Sequence, residues 1–207
     1  MDDRVVITLI RHGLTKENEE KRYIGWTNSP LSEEGKNRLQ TARTNFSPQL
    51  VFSSDLLRCI ETAAYFYPEN ERIELSELRE IHFGDWEGKT YEQLKNNTYY
   101  QGWLNDPFTS PIPSGETYDT FSNRVQKAWM NIVNEFHDQS VSHIAIVTHG
   151  GVIREILSKV SPECKSYWAY TIKPGGCMTL IGNRSKVRRG EPCILLQEGP
   201  LTENESG

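Results

Sequence analysis

Two histidines stand where chemistry is expected, each after a short apolar run and each followed by glycine. Residues 5–10 lead to His12, and residues 144–148 lead to His149. Runs this rich in β-branched side chains and closed by glycine predict buried strands. In open α/β sheets, ligands bind just beyond the carboxyl ends of such strands. The sequence therefore places both histidines at an expected active site.

Two arginines are candidates to bind an anion beside these histidines. Arg11 directly precedes His12, and Arg58 follows residues 53–55, a Ser-Ser-Asp sequence that predicts the start of a helix. Because helical side chains lean toward the N-terminus, we expect Arg58 to reach an anion at that helix start, where backbone N–H groups already favour negative charge. A second helix is expected to start after His149-Gly150-Gly151, which adds free N–H groups beside the second histidine. Two arginines, two histidines and two helix N-termini predict a phosphate-binding cradle.

Further motifs follow one another in an order that is similar to a known family. They are, along the chain, Arg11-His12-Gly13 with Thr15 and Asn18; Tyr23-x-Gly25-Trp26-x-x-x-Pro30-Leu31-Ser32-x-x-Gly35; Ser53-Ser54-Asp55-Leu56-x-Arg58-x-x-x-Thr62-Ala63; Glu80-x-x-x-Gly84-x-x-x-Gly88; and His149-Gly150-Gly151. Over roughly residues 5–182 the chain resembles the histidine phosphatase superfamily, also called phosphoglycerate-mutase-like. The resemblance implies a three-layer α/β/α fold with a mainly parallel central sheet, a phosphohistidine intermediate on His12, and no metal or other cofactor.

The residue types at these positions suit phosphoryl transfer. A neutral imidazole at His12 is a competent nucleophile, and Arg11 and Arg58 are expected to lower the pKa of His12 and keep it unprotonated. The arginines and His149 would neutralise charge on the phosphoryl group as it moves. We expect the substrate phosphate to be bound by Arg11, Asn18, Arg58, His149 and Gly150.

The alkoxide leaving group needs a proton donor. Glu80 matches the acid of the family, and it could later accept a proton from the water that attacks phosphohistidine. Two alternatives stay open. His82 points to the same side as Glu80 if the backbone is extended, and Asp85 lies in the turn that follows. Arg79 should face away from Glu80 and be structural.

The signatures of other phosphatase chemistries are missing from the sequence. No cysteine has an arginine six residues later, no strand ends in Asp-x-Asp, and no G-x-x-x-x-G-K-[ST] loop occurs. Residues 79–88 and 113–117 resemble alpha-ribazole phosphatases and the broad-specificity phosphatases near them, whereas mutases of the family are generally longer. A phosphomonoester hydrolase is therefore predicted, with a phosphoglycerate mutase and a catalytically silent phosphate-binding module as alternatives.

The composition fits one α/β domain, expected over residues 1–200 with a flexible tail at 201–207. The chain has 207 residues, of which 25% are charged and 36% hydrophobic, and its net charge is −5. This balance argues against nucleic acid, and no apolar stretch has the length of a membrane helix or of a signal-peptide core. We expect a cytoplasmic monomer or homodimer with a small-molecule substrate. Four cysteines form no C-x-x-C pair and are expected to be reduced and buried: Cys59, Cys164, Cys177 and Cys193.

Strand and helix patterns alternate along the chain, which predicts a sheet covered on both faces. Helices are expected over residues 32–44, 53–67 and 118–136, strands over 50–52 and 73–78, and a final hairpin over 177–182 and 193–197. Residues 85–116 are expected to form an aromatic insertion over one end of the sheet, with a short helix begun by a Thr90–Gln93 capping box. Most of its aromatic residues should form a small core, while Trp26, Phe83 and Trp86 are candidates for the wall of the active site.

Overall fold

A single sheet runs through the molecule. The structure is a computed structural model that describes residues 3–41, 47–163 and 165–199. Within these residues six strands are present: β1 (Arg4–Arg11), β2 (Leu50–Ser54), β3 (Arg72–Leu75), β4 (His143–Thr148), β5 (Cys177–Asn183) and β6 (Leu195–Gly199). Their order is β3-β2-β4-β1-β5-β6, in which β3, β2, β4 and β1 run parallel, β5 is antiparallel to β1, and β6 is antiparallel to β5.

Helices cover both faces of this sheet. The helices in the described part of the chain are α1 (Lys16–Glu19), α2 (Glu33–Thr41), α3 (Leu57–Phe66), α4 (Tyr91–Leu94), α5 (Thr98–Asn105), α6 (Tyr118–Asn134), α7 (Gly150–Val160) and α8 (Arg184–Arg188). Apolar side chains of α6 and α7 pack on one face of the sheet, and those of α3 pack on the other. Every residue of β4 is buried between the layers. The expected three-layer α/β/α fold with a mainly parallel sheet is confirmed. No helix in the described ranges is long and apolar enough to cross a membrane.

The pairing of β1 with β4 brings the two histidines together. These strands are parallel neighbours in which Arg11 lies opposite Thr148. The His12 N–H continues the ladder by donating to the Thr148 carbonyl at 2.9 Å. Because the register is fixed at these last residues, His12 and His149 leave adjacent strands at the same edge of the sheet.

Several elements begin or end away from their expected positions. The expected helix over 53–67 starts at Leu57, because Ser53 and Ser54 continue β2 and pair with its neighbours. The expected strand over 73–78 ends at Leu75 and gives way to a 3-10 turn over Ser76–Leu78. In the final hairpin, α8 joins the strands.

Other expected boundaries agree more closely with the structure. Ser32 caps α2, since its hydroxyl accepts from the Gly35 N–H at 3.0 Å. The end expected for this helix near Thr44 lies outside the described residues. The helix expected over 118–136 is α6 followed by a 3-10 turn that contains Phe136. The cysteines Cys59, Cys177 and Cys193 are buried as expected, and Cys164 is outside the described residues.

The insertion has a small core of its own. Trp86, Leu94, Tyr100 and Ile112 are buried together in it. The predicted capping box is present, with Thr90 and Gln93 bonded reciprocally at the start of α4. Trp86 is 1% exposed in this core, so its expected place in the wall of the active site is wrong.

Candidate active site

His12 is buried, and its hydrogen bond defines which ring nitrogen faces the site. Its Nδ1 lies 2.7 Å from the Gly13 carbonyl oxygen. A carbonyl only accepts, so Nδ1 carries the proton and Nε2 keeps its lone pair. The Gly13 N–H donates to the Thr62 hydroxyl at 3.0 Å, and that hydroxyl donates to the Arg58 carbonyl at 2.6 Å. This chain of bonds ties the turn after β1 to α3 and fixes the imidazole.

The surroundings of His12 keep it neutral. Burial lowers its pKa well below the ordinary value, and the positive charges of Arg58 and Arg11 lower it further. The Gly13 hydrogen bond acts in the opposite direction but is the smallest of these effects. The result is a ring that can use the Nε2 lone pair as a nucleophile near neutral pH.

His149 lies beside His12 but is held differently. The two ring centroids are 5.1 Å apart, with planes 62° apart. The Nε2 of His149 is hydrogen-bonded to the Ser54 hydroxyl at 3.0 Å and lies 3.4 Å from the Cys59 sulfur. Burial, followed by the charge of Arg58, lowers the pKa of His149 well below its usual range. This ring is positioned by side chains of β2 and α3.

Arg58 and Arg11 bring two positive charges to the histidines. The fully buried Arg58 donates from Nη1 to the Thr27 carbonyl and from Nη2 to the Gly25 carbonyl, both at 2.6 Å. Arg11 donates from Nη1 to the Ile172 carbonyl at 2.7 Å. The Nε–H groups of both arginines are buried and have no hydrogen-bond partner among the described residues. Buried guanidinium donors without an acceptor are costly unless they serve a ligand.

Glu80 reaches the same site from the segment after β3. One carboxylate oxygen accepts from the Gly151 N–H at 2.9 Å, at the start of α7, and the other accepts from the Ile81 N–H at 3.0 Å. A Cβ on Gly151 would lie 2.1 Å from the nearer Glu80 oxygen, so only glycine allows this approach. Glu80 therefore sits against the helix that follows His149.

The two alternatives to Glu80 are placed differently. The His82 ring packs on Trp26 at a tilt of 39°, with the ring centroids 4.9 Å apart, and its Nε2 lies 3.8 Å from Glu87. Asp85 has an exposed side chain in its turn. Of the three candidate acids, Glu80 is the one whose carboxylate is bound at the start of α7. Arg79 turns away from the site and pairs with Asp55 at 2.5 Å, as the expected structural role requires.

Asn18 is engaged in its own turn. Its side-chain oxygen accepts from the Thr15 N–H, and its backbone N–H donates to the Thr15 hydroxyl, both at 3.3 Å. Together with Arg11 it also lines a cavity of about 370 Å³. The amide therefore has a structural task at the edge of the site beside its expected contact with phosphate.

Hydrogen bonds within the protein engage N–H groups at both expected helix N-termini, since Gly151 of α7 already donates to Glu80. At the start of α3, the Leu56 N–H donates to the Ser54 hydroxyl and the Leu57 N–H donates to the Asn28 side chain. These bonds use two of the N–H groups that were expected to bind phosphate at this helix. Helix α7 begins at Gly150. The Arg11 guanidinium lies beside this residue, since a Cβ added to Gly150 would be 3.5 Å from it.

A second cavity opens beside Glu80 and is mostly aromatic. Its volume is about 350 Å³. Glu80, Gly151 and Arg154 lie at its polar side, where Arg154 donates to the Tyr170 carbonyl at 3.0 Å. Its aromatic lining is formed by Tyr23, Phe83, Trp103, Phe108, Tyr118, Phe121, Tyr167 and Trp168. We call this space the aromatic cavity.

Phe83 and Trp26, two candidates for the wall of the active site, differ in their position relative to the aromatic cavity. Phe83 lines the aromatic cavity, as expected. Trp26 is not among its lining residues and instead supports the Glu80 segment, since its indole N–H donates to the Glu80 carbonyl at 3.0 Å. A place for Trp26 in the wall of the active site stays a prediction.

Several residues that shape the site were not given these roles from the sequence. Ser54, Cys59 and Thr62 lie in a recognised motif, but their contacts with His149 and Gly13 join segments far apart in the chain. Glu87 binds the N–H groups of Trp26 and Thr27 at 2.7 Å each and so holds the loop that carries the acceptors for Arg58. In the described residues no group of three or more His, Cys, Asp or Glu side chains could hold a metal ion.

The fold and the site define an α/β protein in which a buried, neutral histidine faces two arginines and a carboxylate. Residues 7–188 match the family model of the histidine phosphatase superfamily (branch 1). The chain therefore belongs to the histidine phosphatase superfamily, and it is a hydrolase.

Named relatives and solved structures include both phosphatases and mutases. An Escherichia coli (strain K12) adenosylcobalamin/alpha-ribazole phosphatase is 30% identical over 188 residues, which cover 86% of this chain and 90% of the relative. A 2,3-bisphosphoglycerate-dependent phosphoglycerate mutase of Tropheryma whipplei is 27% identical, with 85% and 97% covered. The crystal structure of the alpha-ribazole phosphatase from Shigella flexneri superposes with a TM-score of 0.79 at 27% identity, with 94% and 96% covered.

Proposed function

We propose that this enzyme hydrolyses small-molecule phosphomonoesters through a phosphohistidine intermediate on His12. The observation that carries the proposal is the buried, neutral ring of His12, on which the positive charges of Arg58 and Arg11 act; each of these arginines also keeps a buried Nε–H without an acceptor among the described residues. A phosphate group supplies negatively charged oxygens that such donors bind strongly. The same cations stabilise the charge of the transferred phosphoryl group.

The first half of the reaction transfers the phosphoryl group to the enzyme. The Nε2 lone pair of His12 attacks phosphorus while the ester P–O bond breaks. Arg11, Arg58 and His149 hold the phosphoryl oxygens. The leaving alkoxide takes a proton from the Glu80 carboxyl group, which the Gly151 N–H fixes at the start of α7.

The second half returns the enzyme to its starting state. Water attacks the phosphorus of phosphohistidine and gives a proton to the Glu80 carboxylate. The P–N bond breaks, its electron pair returns to Nε2, and inorganic phosphate leaves. Glu80 is again protonated and His12 is again neutral, so protons and charges balance over the cycle.

The aromatic cavity indicates the kind of leaving group. It adjoins Glu80, which protonates the leaving oxygen, and it is large enough for a ring system rather than a short polar chain. Flat apolar groups pack favourably on such side chains. The relatives named as alpha-ribazole phosphatases support a substrate of this kind. We therefore propose alpha-ribazole 5′-phosphate as the preferred substrate.

A panel of phosphomonoesters tests this function. Purified protein is expected to release phosphate from p-nitrophenyl phosphate and to show its highest kcat/KM on alpha-ribazole 5′-phosphate, with 3-phosphoglycerate poorer. His12→Ala should abolish release. His137→Ala, at an exposed histidine after α6, is the matched control and should leave the rates unchanged.

Two outcomes would contradict the proposal. Undiminished hydrolysis by His12→Ala would exclude His12 as the nucleophile. Conversion of 3-phosphoglycerate to 2-phosphoglycerate faster than release of phosphate would identify a mutase instead.

A further inference from the structure

Arg124, in the second turn of α6, uses every donor that an arginine has. A guanidinium carries five N–H groups. Five hydrogen bonds join this side chain to one carboxylate and to the segment that carries Glu80. Nε donates to Glu116 Oε1 and Nη2 donates to Glu116 Oε2, both at 2.7 Å. Nη1 donates to the carbonyls of Glu77 at 2.9 Å and Arg79 at 2.6 Å, and Nη2 donates to the Glu80 carbonyl at 2.8 Å. One partly buried side chain thus binds three backbone carbonyls within four residues.

Glu116 extends this hold to the other side of Glu80. Its side chain is 7% exposed and forms a two-pronged ion pair with Arg124. The same carboxylate accepts from the His82 N–H at 3.3 Å, and the Glu116 N–H donates to the His82 carbonyl at 2.9 Å. The backbone is therefore fixed before, at and after residue 80.

None of these bonds reaches the groups that hold the phosphate. Arg124 donates to the Glu116 carboxylate and to the carbonyls of Glu77, Arg79 and Glu80. Arg11 and Arg58 are instead held by carbonyls of other segments. The hydrogen bonds of Arg124 therefore hold the segment of the acid and not the guanidinium groups of Arg11 and Arg58.

We propose that Arg124 and Glu116 are a positioning pair that holds Glu80 in register with the leaving oxygen. The proposal rests on the acid role of Glu80 in the proposed function. Proton transfer requires the donor within hydrogen-bond reach of the leaving oxygen, and a correctly placed acid accelerates such steps by about 10²–10⁴-fold. A leaving group that departs without a proton does not need this alignment. The pair therefore determines how well the enzyme handles poor leaving groups.

The substitution Arg124→Lys removes the guanidinium group and its five N–H donors but keeps a positive charge. Lysine has three donors from one nitrogen and cannot serve five acceptors. The readout is the ratio of kcat/KM for p-nitrophenyl phosphate to kcat/KM for an alkyl phosphate, glycerol 3-phosphate. We expect the ratio to rise at least about tenfold, because a misaligned acid loses only part of the rate acceleration that a general acid provides. Glu80→Gln sets the upper limit of the rise.

Arg184→Lys is the matched control. Arg184 is buried and likewise donates to three backbone carbonyls, those of Phe136, Asp138 and Val141, at the end of the sheet away from the histidines. Its replacement should lower the thermal midpoint of unfolding without changing the ratio. A purely structural role for Arg124 predicts the same behaviour as this control.

Glu116→Gln keeps the size of the side chain and provides the test if Arg124→Lys does not fold. It too should raise the ratio. Suppose that Glu80→Gln raises the ratio but that no folded variant of the pair, Arg124→Lys or Glu116→Gln, does so. The positioning role is then overturned while the proposed function stands. If Glu80→Gln leaves the ratio unchanged, the acid role of Glu80 fails and the positioning role fails with it.

Discussion

The two histidines differ in which ring nitrogen the protein engages. The Nδ1–H of His12 donates a hydrogen bond to the Gly13 carbonyl, which leaves Nε2 free to react. His149 has its Nε2 bonded to the Ser54 hydroxyl. Both rings are buried and both have a lowered pKa, so their different roles in the proposed mechanism come from these partners rather than from their charge state.

The protonation of His12 can be measured directly. Burial and the cations Arg58 and Arg11 lower its pKa, so the ring should stay neutral as the pH falls through about 6.5, the ordinary histidine value. The measurement is a titration of the ring ¹⁵N resonances by NMR, assigned with a His12→Asn variant. Arg58→Gln removes one of these cations and should move the pKa of His12 upward. Protonation of His12 at about 6.5 in the unchanged protein would contradict this electrostatic account.

The elements place these residues through strand ends and helix starts. Strands β1 and β4 carry the histidines in parallel register, and α7 begins immediately after His149. The Glu80 carboxylate packs on this start, where it accepts from the Gly151 N–H. A carboxylate and a histidine from segments about 70 residues apart are thereby joined by one helix N-terminus.

Gly151→Ala tests this contact. The new methyl group would lie 2.1 Å from Glu80 Oε1, so the carboxylate or the helix start must move. We expect kcat/KM for alkyl phosphates to fall at least about tenfold, because the displaced acid loses alignment. The measurement is steady-state phosphate release with the variant and its control.

Gly102→Ala provides the control for this substitution. Gly102 lies in α5, and an added Cβ would meet nothing closer than the Ser110 hydroxyl at 3.8 Å. This variant should keep its activity, and the alanine should stabilise the helix by up to about 1 kcal/mol. Unchanged hydrolysis of alkyl phosphates by Gly151→Ala would show that the Glu80 contact is not needed.

At the scale of the whole molecule, the sequence predicted what depends on local pattern. The apolar runs ending at His12 and His149 identified two buried strands, and the order of the motifs identified the fold. The start of α3 was missed because Ser-Ser-Asp is also a common cap, whereas Ser53 and Ser54 pair in the sheet. Register with neighbouring strands, which no local window contains, decided that boundary.

The supports of the site were also beyond local pattern. Ser54 contacts His149 across 95 residues, and Arg124 contacts Glu80 across 44. Trp86 was a candidate for the wall of the active site, yet it fills the core of the insertion. Trp168, which lies far from the insertion in the sequence, lines the aromatic cavity. Aromatic composition indicates that a core or a pocket exists, but only packing decides which side chains belong to each.

The central claim is that His12 carries the phosphoryl group, and trapping the intermediate tests it most directly. The enzyme is mixed rapidly with p-nitrophenyl phosphate, quenched in alkali and mapped by mass spectrometry. The account predicts an acid-labile phosphate on the peptide containing His12, present in Glu80→Gln and absent from His12→Ala. An active enzyme that carries the phosphate on another residue would contradict it.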